Sequence, residues 1–270
     1  MSSALEKGDR WSASNGAMAL LRDRGVRGIV SEIRSRGVRG LVSYATRKAR
    51  YVLCRELGRR WDRKFGVDTG GQVELDGLAV VGANKALGAP AVSTSPKTFH
   101  YLSRHFPERL ENYAYVDVGS GKGRTLIMAA ELGFRRIAGI EFSGDLCDKA
   151  RENVATYALH CKNRASFSIV NADATACALP QGDCVLYFGN PFALTLWPAM
   201  IANLERSLAE TPRKLTLILA GSQEDTIRGA ADLLSKSRPL AHVASGKAPY
   251  FLDTYLPYHF TVFAAENERG

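Results

Sequence analysis

This 270-residue sequence lacks long apolar runs, paired cysteines and metal-ligand spacings. No apolar stretch reaches the ~18–20 residues that a membrane-spanning helix needs, and the first residues, MSSALEKGDRW, lack the apolar segment of a secretion signal. The five cysteines form no C-x-x-C pair, and the five histidines show no metal-ligand spacing. We therefore predict a cytoplasmic protein that binds no metal. Peripheral association of this protein with a membrane surface remains an open alternative.

The composition otherwise matches that of a folded globular protein. Hydrophobic residues make up 46% of the chain and charged residues 23%, with 25 Gly and 10 Pro. These values exclude general disorder and collagen-like repeats. The length indicates one large domain, or one domain with an appendage.

Positive charge is concentrated in the first quarter of the chain. Residues 1–66 contain 16 Lys and Arg against 6 Asp and Glu, whereas residues 67–270 contain 20 against 21. This asymmetry predicts that residues 1–60 bind an anionic partner, either a membrane surface or a nucleic acid. A solvated helical face without a partner is the alternative.

Three helices are predicted in this basic N-terminal arm. The run RGVRGIVS at 24–31 recurs as RGVRGLVS at 36–43, which indicates two short amphipathic helices interrupted by glycine. A third helix is predicted over Tyr44–Trp61. The side chains that it is expected to turn toward a core are those of Tyr51, Val52, Leu57 and Trp61.

Residues 67–112 are predicted to form a connector. A hairpin is expected from Val73–Leu75 and Leu78–Val81, around Asp76-Gly77. A helix is expected from Lys97 to about His105, after the hydroxyl residues that precede Pro96.

From residue 113 onward, strand and helix patterns alternate. This order predicts an α/β fold with a mostly parallel sheet covered on both faces. The predicted domains are an arm at 1–66, a connector at 67–112 and an α/β domain at 113–270. The predicted strands are Tyr115–Val118, Arg136–Glu141, Ser166–Val170, Asp183–Phe188, Leu215–Ala220 and a closing antiparallel pair, Tyr250–Thr254 and His259–Ala264.

Four of these strands carry polar or glycine-rich elements at or near their carboxyl ends, where such sheets bind ligands. The first is Asp117 with the glycine-rich turn 119–123, where the main chain can approach a ligand closely. The second is Glu141, whose carboxylate can accept hydrogen bonds from two adjacent ribose hydroxyls. The others are Asp173, suited to an adenine amino group, and the run Asn190-Pro191-Phe192.

In this order, the four elements resemble those of the class I, Rossmann-like S-adenosylmethionine-dependent methyltransferases over about residues 113–265. The resemblance implies a seven-stranded three-layer sandwich and S-adenosylmethionine as the cofactor. The run Asp117–Arg124, preceded by Ser93–Pro96, is also similar to that of seven-strand protein-lysine methyltransferases. This similarity implies that the connector at 67–112 also serves as a lid segment that closes over the cofactor. The cofactor-binding residues that the resemblance implies are Thr94, Asp117, Gly119, Ser120, Gly121, Gly123, Glu141, Asp173 and Asn190.

Asn190-Pro191-Phe192 resembles the Asp/Asn-Pro-Pro-aromatic motif of amino-group methyltransferases, although only one proline is present here. With Tyr187, these residues are the predicted catalytic set. The resemblance implies N-methylation of an amino or amide group by in-line transfer, with protein lysine or a small molecule as the acceptor. The alternatives are O-methylation of a small molecule with His100 or His259 as the base, a nicotinamide dehydrogenase, and a non-catalytic binding module tethered by its basic arm.

Overall fold

Helices and strands alternate along most of the chain in the computed structural model, which describes residues 25–74, 78–82, 91–161, 164–190, 192–249, 254 and 256–266. In chain order the elements are α1 Gly25–Phe65, β1 Gln72–Val73, β2 Ala91–Val92, α2 Pro96–Leu102, β3 Ala114–Val118, α3 Arg124–Leu132, β4 Arg136–Glu141, α4 Gly144–His160, β5 Ser166–Asn171, β6 Cys184–Gly189, α5 Trp197–Glu210, β7 Leu215–Gly221, α6 Glu224–Leu234, β8 Ala241–Ala248 and β9 Tyr258–Ala265.

A seven-stranded sheet with the order β5-β4-β3-β6-β7-β9-β8 forms the centre of the fold. Neighbouring strands from β5 to β7 pair in parallel, whereas β9 is antiparallel to both β7 and β8. The predicted fold class is therefore confirmed. The strand order reverses between β3 and β6, so the carboxyl ends of β3, β4 and β6 border the crevice where such sheets bind ligands.

The central strand β6 is buried on both faces because helices cover the sheet on each side. Val185 and Tyr187 belong to the hydrophobic core on one face, while Leu186 and Phe188 belong to the core on the other. This alternation follows from the two-residue period of a strand. It explains why β6 has an almost uninterrupted apolar sequence.

The prediction of the last strand pair was half right. The second member, predicted at His259–Ala264, is β9, but its partner is β8 at Ala241–Ala248. Of the predicted strand Tyr250–Thr254, only Thr254 lies within the described residues, and it lies outside any strand. β8 is an edge strand with mostly exposed residues, so it lacks the apolar alternation that would have predicted it.

The predicted hairpin between Val73–Leu75 and Leu78–Val81 was wrong. β1 pairs with β2 instead, and Val80 forms a bridge with Ser143 at the start of α4. Both partners are distant in sequence, and a local turn signal at Asp76-Gly77 carries no information about them.

The described part of the basic arm forms α1, two helical segments joined at Gly37, where three helices were predicted. Gly37 interrupts it with φ 60° and ψ −151°, and the helix then continues without a break to Phe65. Val52 is 56% exposed, contrary to the prediction that it faces a core. The end of α1 packs on α4, where the Phe65 and Tyr157 rings lie 5.6 Å apart. The division into three domains remains a prediction.

None of the described helices is long and apolar enough to span a membrane.

Candidate active site

The turn after β3 lies against β4 and leaves its main chain open to a cleft. Gly119, Gly121 and Gly123 have φ values of 82°, 52° and 82°, a region that favours glycine. The N–H groups of Gly119 and Ser120 both donate to the Ile140 carbonyl, at 2.8 and 3.2 Å. Among the described residues, only the Ala91 methyl carbon would lie within 4 Å of a side-chain carbon added at Gly121, at a distance of 3.6 Å.

Glu141, at the end of β4, is 3% exposed, and each of its carboxylate oxygens accepts one backbone hydrogen bond. Oε2 accepts from the Gly121 N–H at 2.9 Å, and Oε1 accepts from the Ser143 N–H at 3.0 Å. Burial raises the pKa of this carboxyl, while the backbone donors act in the opposite direction. A carboxylate oxygen has two acceptor positions, so each oxygen retains capacity for a ligand hydroxyl.

Asp117, near the end of β3, is also buried, and it accepts a hydrogen bond from the Thr125 hydroxyl. Burial raises the pKa of Asp117 to about 7; the Thr125 hydrogen bond lowers it and the negative charge of Glu141 raises it further. A cationic ligand group nearby would favour the ionised form.

Asp173 and Ser120 add polar groups to the same cleft. Asp173 Oδ1 accepts from the Thr175 N–H at 2.9 Å and from the Thr175 hydroxyl at 2.7 Å. Ser120 Oγ is buried and has no hydrogen-bond partner among the described residues. A buried hydroxyl without a partner is costly unless a ligand satisfies it.

Thr94 joins the segment before α2 to the sheet. Its hydroxyl lies 2.8 Å from the Tyr187 hydroxyl and 3.2 Å from the Tyr258 hydroxyl. The neighbouring Ser93 hydroxyl donates to the Thr69 carbonyl. Thr94 and Tyr187 both line the cleft, so this segment forms one of its walls.

Asn190, just beyond β6, has a left-handed backbone with φ 53°. Its N–H donates to the Ala220 carbonyl at 3.0 Å, and its side-chain oxygen accepts from the Ser222 N–H at 2.9 Å. These contacts bind the residue to the end of β7. Phe192 packs on Trp197, with ring centroids 5.2 Å apart.

The predicted site residues converge on one cleft of about 1030 Å³, a volume that includes solvent at its mouth. Gly123 does not line it and packs near Ala150. Pro191 lies outside the described residues. The two candidate bases His100 and His259 do not line it. The predicted residues that do line it are Thr94, Asp117, Gly119, Ser120, Gly121, Glu141, Asp173, Tyr187, Asn190 and Phe192.

Residues 116–211 match the family model of a methyltransferase domain. The chain contains a class I S-adenosylmethionine-dependent methyltransferase domain. The match begins in β3 and ends just after α5, so it includes the glycine turn and the ends of β3, β4, β5 and β6.

Solved structures of methyltransferases also resemble this domain. Magnesium protoporphyrin IX methyltransferase from Synechocystis PCC 6803, with bound S-adenosylmethionine, is 13% identical, with a TM-score of 0.45 over 63% of this chain and 79% of that one. Ribosomal protein L11 methylase from Lactobacillus delbrueckii subsp. bulgaricus is 14% identical, with a TM-score of 0.44 over 63% of this chain and 77% of that one. TrmN from Thermus thermophilus is 15% identical, with a TM-score of 0.48 over 64% of this chain and 49% of that one. No curated protein sequence matches the chain significantly.

The polar groups of the methyltransferase cleft suit S-adenosylmethionine, which is the cofactor of this enzyme. Glu141 has acceptor capacity for two hydroxyls, and Ser120 Oγ lacks a protein partner among the described residues. Gly119 and Gly121, both left-handed, leave the main chain of the turn open to the cleft at these two positions. The described residues contain no cluster of His, Cys, Asp and Glu suited to a metal ion.

A buried ionic network beside the cleft was missed in the sequence. Arg124, the first residue of α3, is 6% exposed, and its Nη2 lies 3.1 Å from Asp62 Oδ1 in the last turn of α1. Its Nε donates to the Thr69 hydroxyl at 2.7 Å. Asp62 also accepts from the Thr69 hydroxyl and the Gly70 N–H. One signal was available: a cation in the first turn of a helix opposes the helix dipole and indicates a nearby acid.

Proposed function

We propose that this enzyme methylates a nitrogen, in an amino or amide group, by in-line transfer, and that its acceptor is a protein lysine or a small molecule. The proposal rests on the distribution of bases in the cleft. The carboxylates among its described lining residues are Asp117, Glu141 and Asp173. Each already accepts a hydrogen bond from the protein, from Thr125, Gly121 and Thr175 respectively, and we place all three at the cofactor end. A hydroxyl acceptor needs a base at the other end, whereas a neutral amine already presents a lone pair.

The cofactor end of the cleft is the end lined by the glycine turn. When bound there, S-adenosylmethionine supplies a methyl group that is already activated by its sulfonium. We assign the ribose hydroxyls to Glu141 and the adenine amino group to Asp173. The methionine ammonium is assigned to Asp117, whose negative charge it would stabilise. Ser120 and Thr94 complete this half from the turn and the wall segment.

The acceptor end lies at Asn190. Because the Asn190 side-chain oxygen already accepts from the Ser222 N–H, we assign the orienting role to its main-chain carbonyl. The left-handed backbone would aim that carbonyl at the acceptor N–H and so direct the lone pair toward the methyl group. Phe192 would provide an aromatic wall for the developing cation.

Tyr187 has a different role in this proposal. It is fully buried, and its hydroxyl contacts that of Thr94. It therefore positions the wall segment against β6, and we do not assign it contact with the acceptor. Pro191 keeps its predicted role beside Asn190.

The chemistry of the labelled product tests the proposal. The full chain is incubated with methyl-labelled S-adenosylmethionine and cell lysate, and the label is sorted among protein, RNA and small molecules. Mass spectrometry of the product then identifies the methylated atom. The proposal expects label on an amino or amide nitrogen, and label on an oxygen would contradict it.

Two variants of Asn190 test the main-chain assignment. Asn190→Gly removes the side chain but tolerates the left-handed backbone, whereas Asn190→Ala makes that backbone unfavourable by about 1–2 kcal/mol. We expect the glycine variant to retain most of the methyl-transfer rate and the alanine variant to lose about 5- to 30-fold. Both should bind S-adenosylhomocysteine like the wild type. If both variants lose the same fraction of the methyl-transfer rate, the side-chain amide of Asn190, and not its main-chain carbonyl, orients the acceptor.

A further inference from the structure

The solvent side of α1 carries exposed aliphatic side chains. Val42, Val52 and Leu53 are 60%, 56% and 58% exposed. Val42 and Leu53 are eleven residues apart, about three helical turns, so they lie on one side of the helix. Ala45 and Ala49 between them are also exposed. We call these five residues the α1 stripe.

The opposite side of α1 packs on the rest of the protein. Tyr44 and Phe65 are 7% and 5% exposed. Arg50 Nε donates to the Thr254 carbonyl at 2.6 Å, which ties the middle of the helix to the chain just before β9. The α1 stripe is therefore the outward side of a docked helix, and no residue within the described part of the chain covers it.

Positive charge surrounds the α1 stripe. The helix contains 12 Lys and Arg against 3 Asp and Glu, which accounts for the +9 formal charge of the whole chain. The side chains of Arg39, Arg55 and Arg59 are exposed. On helical geometry, Arg39 lies to one side of the stripe, while Arg55 and Arg59 lie to the other.

We infer that α1 docks on an anionic lipid surface, with the α1 stripe inserted among the acyl chains and the flanking arginines on the headgroups. A basic helix with an outward aliphatic face fits the interfacial helices that lie in the plane of a membrane. RNA fits less well, because single-stranded recognition uses aromatic stacking and the central outward side chains of the α1 stripe are aliphatic. A second copy of α1 would bring two strongly basic helices together, which Coulomb repulsion opposes.

Vesicle sedimentation of the full-length protein tests this inference. Phosphatidylcholine vesicles are compared with vesicles that also contain phosphatidylserine, each at low and high salt. We expect strong preference for the anionic vesicles. A fraction of the binding should survive high salt, because apolar insertion is not screened.

Two sets of substitutions separate the apolar and ionic contributions. V42S/V52S/L53S should abolish the salt-resistant binding. R39Q/R55Q/R59Q should weaken binding at low salt by about a hundredfold, since each basic residue near an anionic surface contributes about fivefold. The matched controls are Val243→Ser, which removes an aliphatic side chain exposed to 56% on β8, and R135Q/K236Q/R238Q, which removes three exposed charges elsewhere.

Four results would overturn the inference. The first is equal binding of the wild type to neutral and anionic vesicles, and the second is unchanged salt-resistant binding by V42S/V52S/L53S. The third is a wild-type protein that binds no vesicles but forms a dimer, which V42S/V52S/L53S fails to form. The fourth is binding of the wild type to RNA but not to vesicles. Melting temperature and S-adenosylhomocysteine affinity are measured for every variant, so that loss of the fold is distinguished from loss of the surface. The inference does not depend on which atom the enzyme methylates.

Discussion

At the scale of single residues, the burial of Asp117 makes its carboxyl sensitive to the charge of a ligand. Asp117 is 3% exposed, and burial raises its pKa to about 7. Near neutral pH the free protein therefore holds this carboxyl partly protonated. The cofactor and S-adenosylhomocysteine both carry a methionine ammonium, which favours the ionised form. Ligand binding should therefore be linked to release of this proton.

We expect the affinity for S-adenosylhomocysteine to fall as the pH drops below about 7, because the ligand must then displace the Asp117 proton. The limiting slope is about tenfold for each pH unit. Above that pH the carboxyl is already ionised, and its contribution should level off. Calorimetry across this range measures the profile, and Asp117→Asn should bind more weakly with a flatter profile. Identical pH profiles for the two proteins would refute the assignment of Asp117 to the ammonium.

The acidic residues at strand ends were predictable from the sequence because each follows a recognisable apolar strand. The structure brings Asp117, Glu141 and Asp173 to one cleft, as the strand-end rule expects. Thr69 also lines the cleft but was not predicted, because it lies in the connector, outside any strand pattern. The orientation of the Asn190 side chain was equally inaccessible, since it depends on contact with Ser222.

At the scale of elements, the Asp62–Arg124 pair ties the end of α1 to the start of α3. The Asp62 carboxylate accepts from the Thr69 N–H, the Thr69 hydroxyl and the Gly70 N–H as well as from Arg124. Thr69 and Arg124 both line the cleft. The final turn of α1 therefore supports the wall of the cleft, although the predicted domain boundaries placed it in the arm at 1–66.

We expect Asp62→Ala to destabilise the protein by about 3–5 kcal/mol, because it leaves the buried Arg124 cation without its partner. Asp68→Ala is the matched control: its partner Lys122 lies 3.3 Å away, but the Asp68 side chain is 63% exposed. Lys122 keeps the Gly70 carbonyl as a partner when the exposed Asp68 carboxylate is removed, so the loss should be about 0–1 kcal/mol. Urea unfolding measures both values. If the two variants lose equal stability, the buried pair does not support the fold in the way described.

The accuracy of the element predictions followed burial for most strands. The five parallel strands were predicted to within one residue at each end. For β3, β4, β6 and β7 the reason is burial, which produces apolar runs. β5 is mostly exposed and was predicted from its place in the alternation of strands and helices. β8 and the β1–β2 pair were missed. β8 is mostly exposed, and the pairing of β1 with β2 is set by tertiary contacts across the connector. The continuity of α1 through Gly40 was also missed. The repeated glycines indicated a helix break there, but the helix continues through this residue.

At the scale of the whole molecule, basic charge and catalytic machinery occupy different parts of one chain. The formal charge of α1 equals that of the entire protein, while the cleft lies at the carboxyl ends of β3, β4 and β6. The fold and the cofactor were predictable because strand order and strand-end acids act together. The acceptor was not, because no residue pattern in the sequence identifies it.

The central claim is that the ends of β3, β4 and β6 form the S-adenosylmethionine site, and Glu141 tests it most directly. Calorimetric titration with S-adenosylhomocysteine should compare the wild type, Glu141→Ala and the exposed control Glu152→Ala, with melting curves to confirm that each is folded. Because a hydrogen bond to a charged group contributes about 1.5–3 kcal/mol, we predict a loss of roughly 10- to 150-fold for Glu141→Ala. Glu152→Ala should match the wild type. Unchanged affinity in a folded Glu141→Ala protein would contradict the claim.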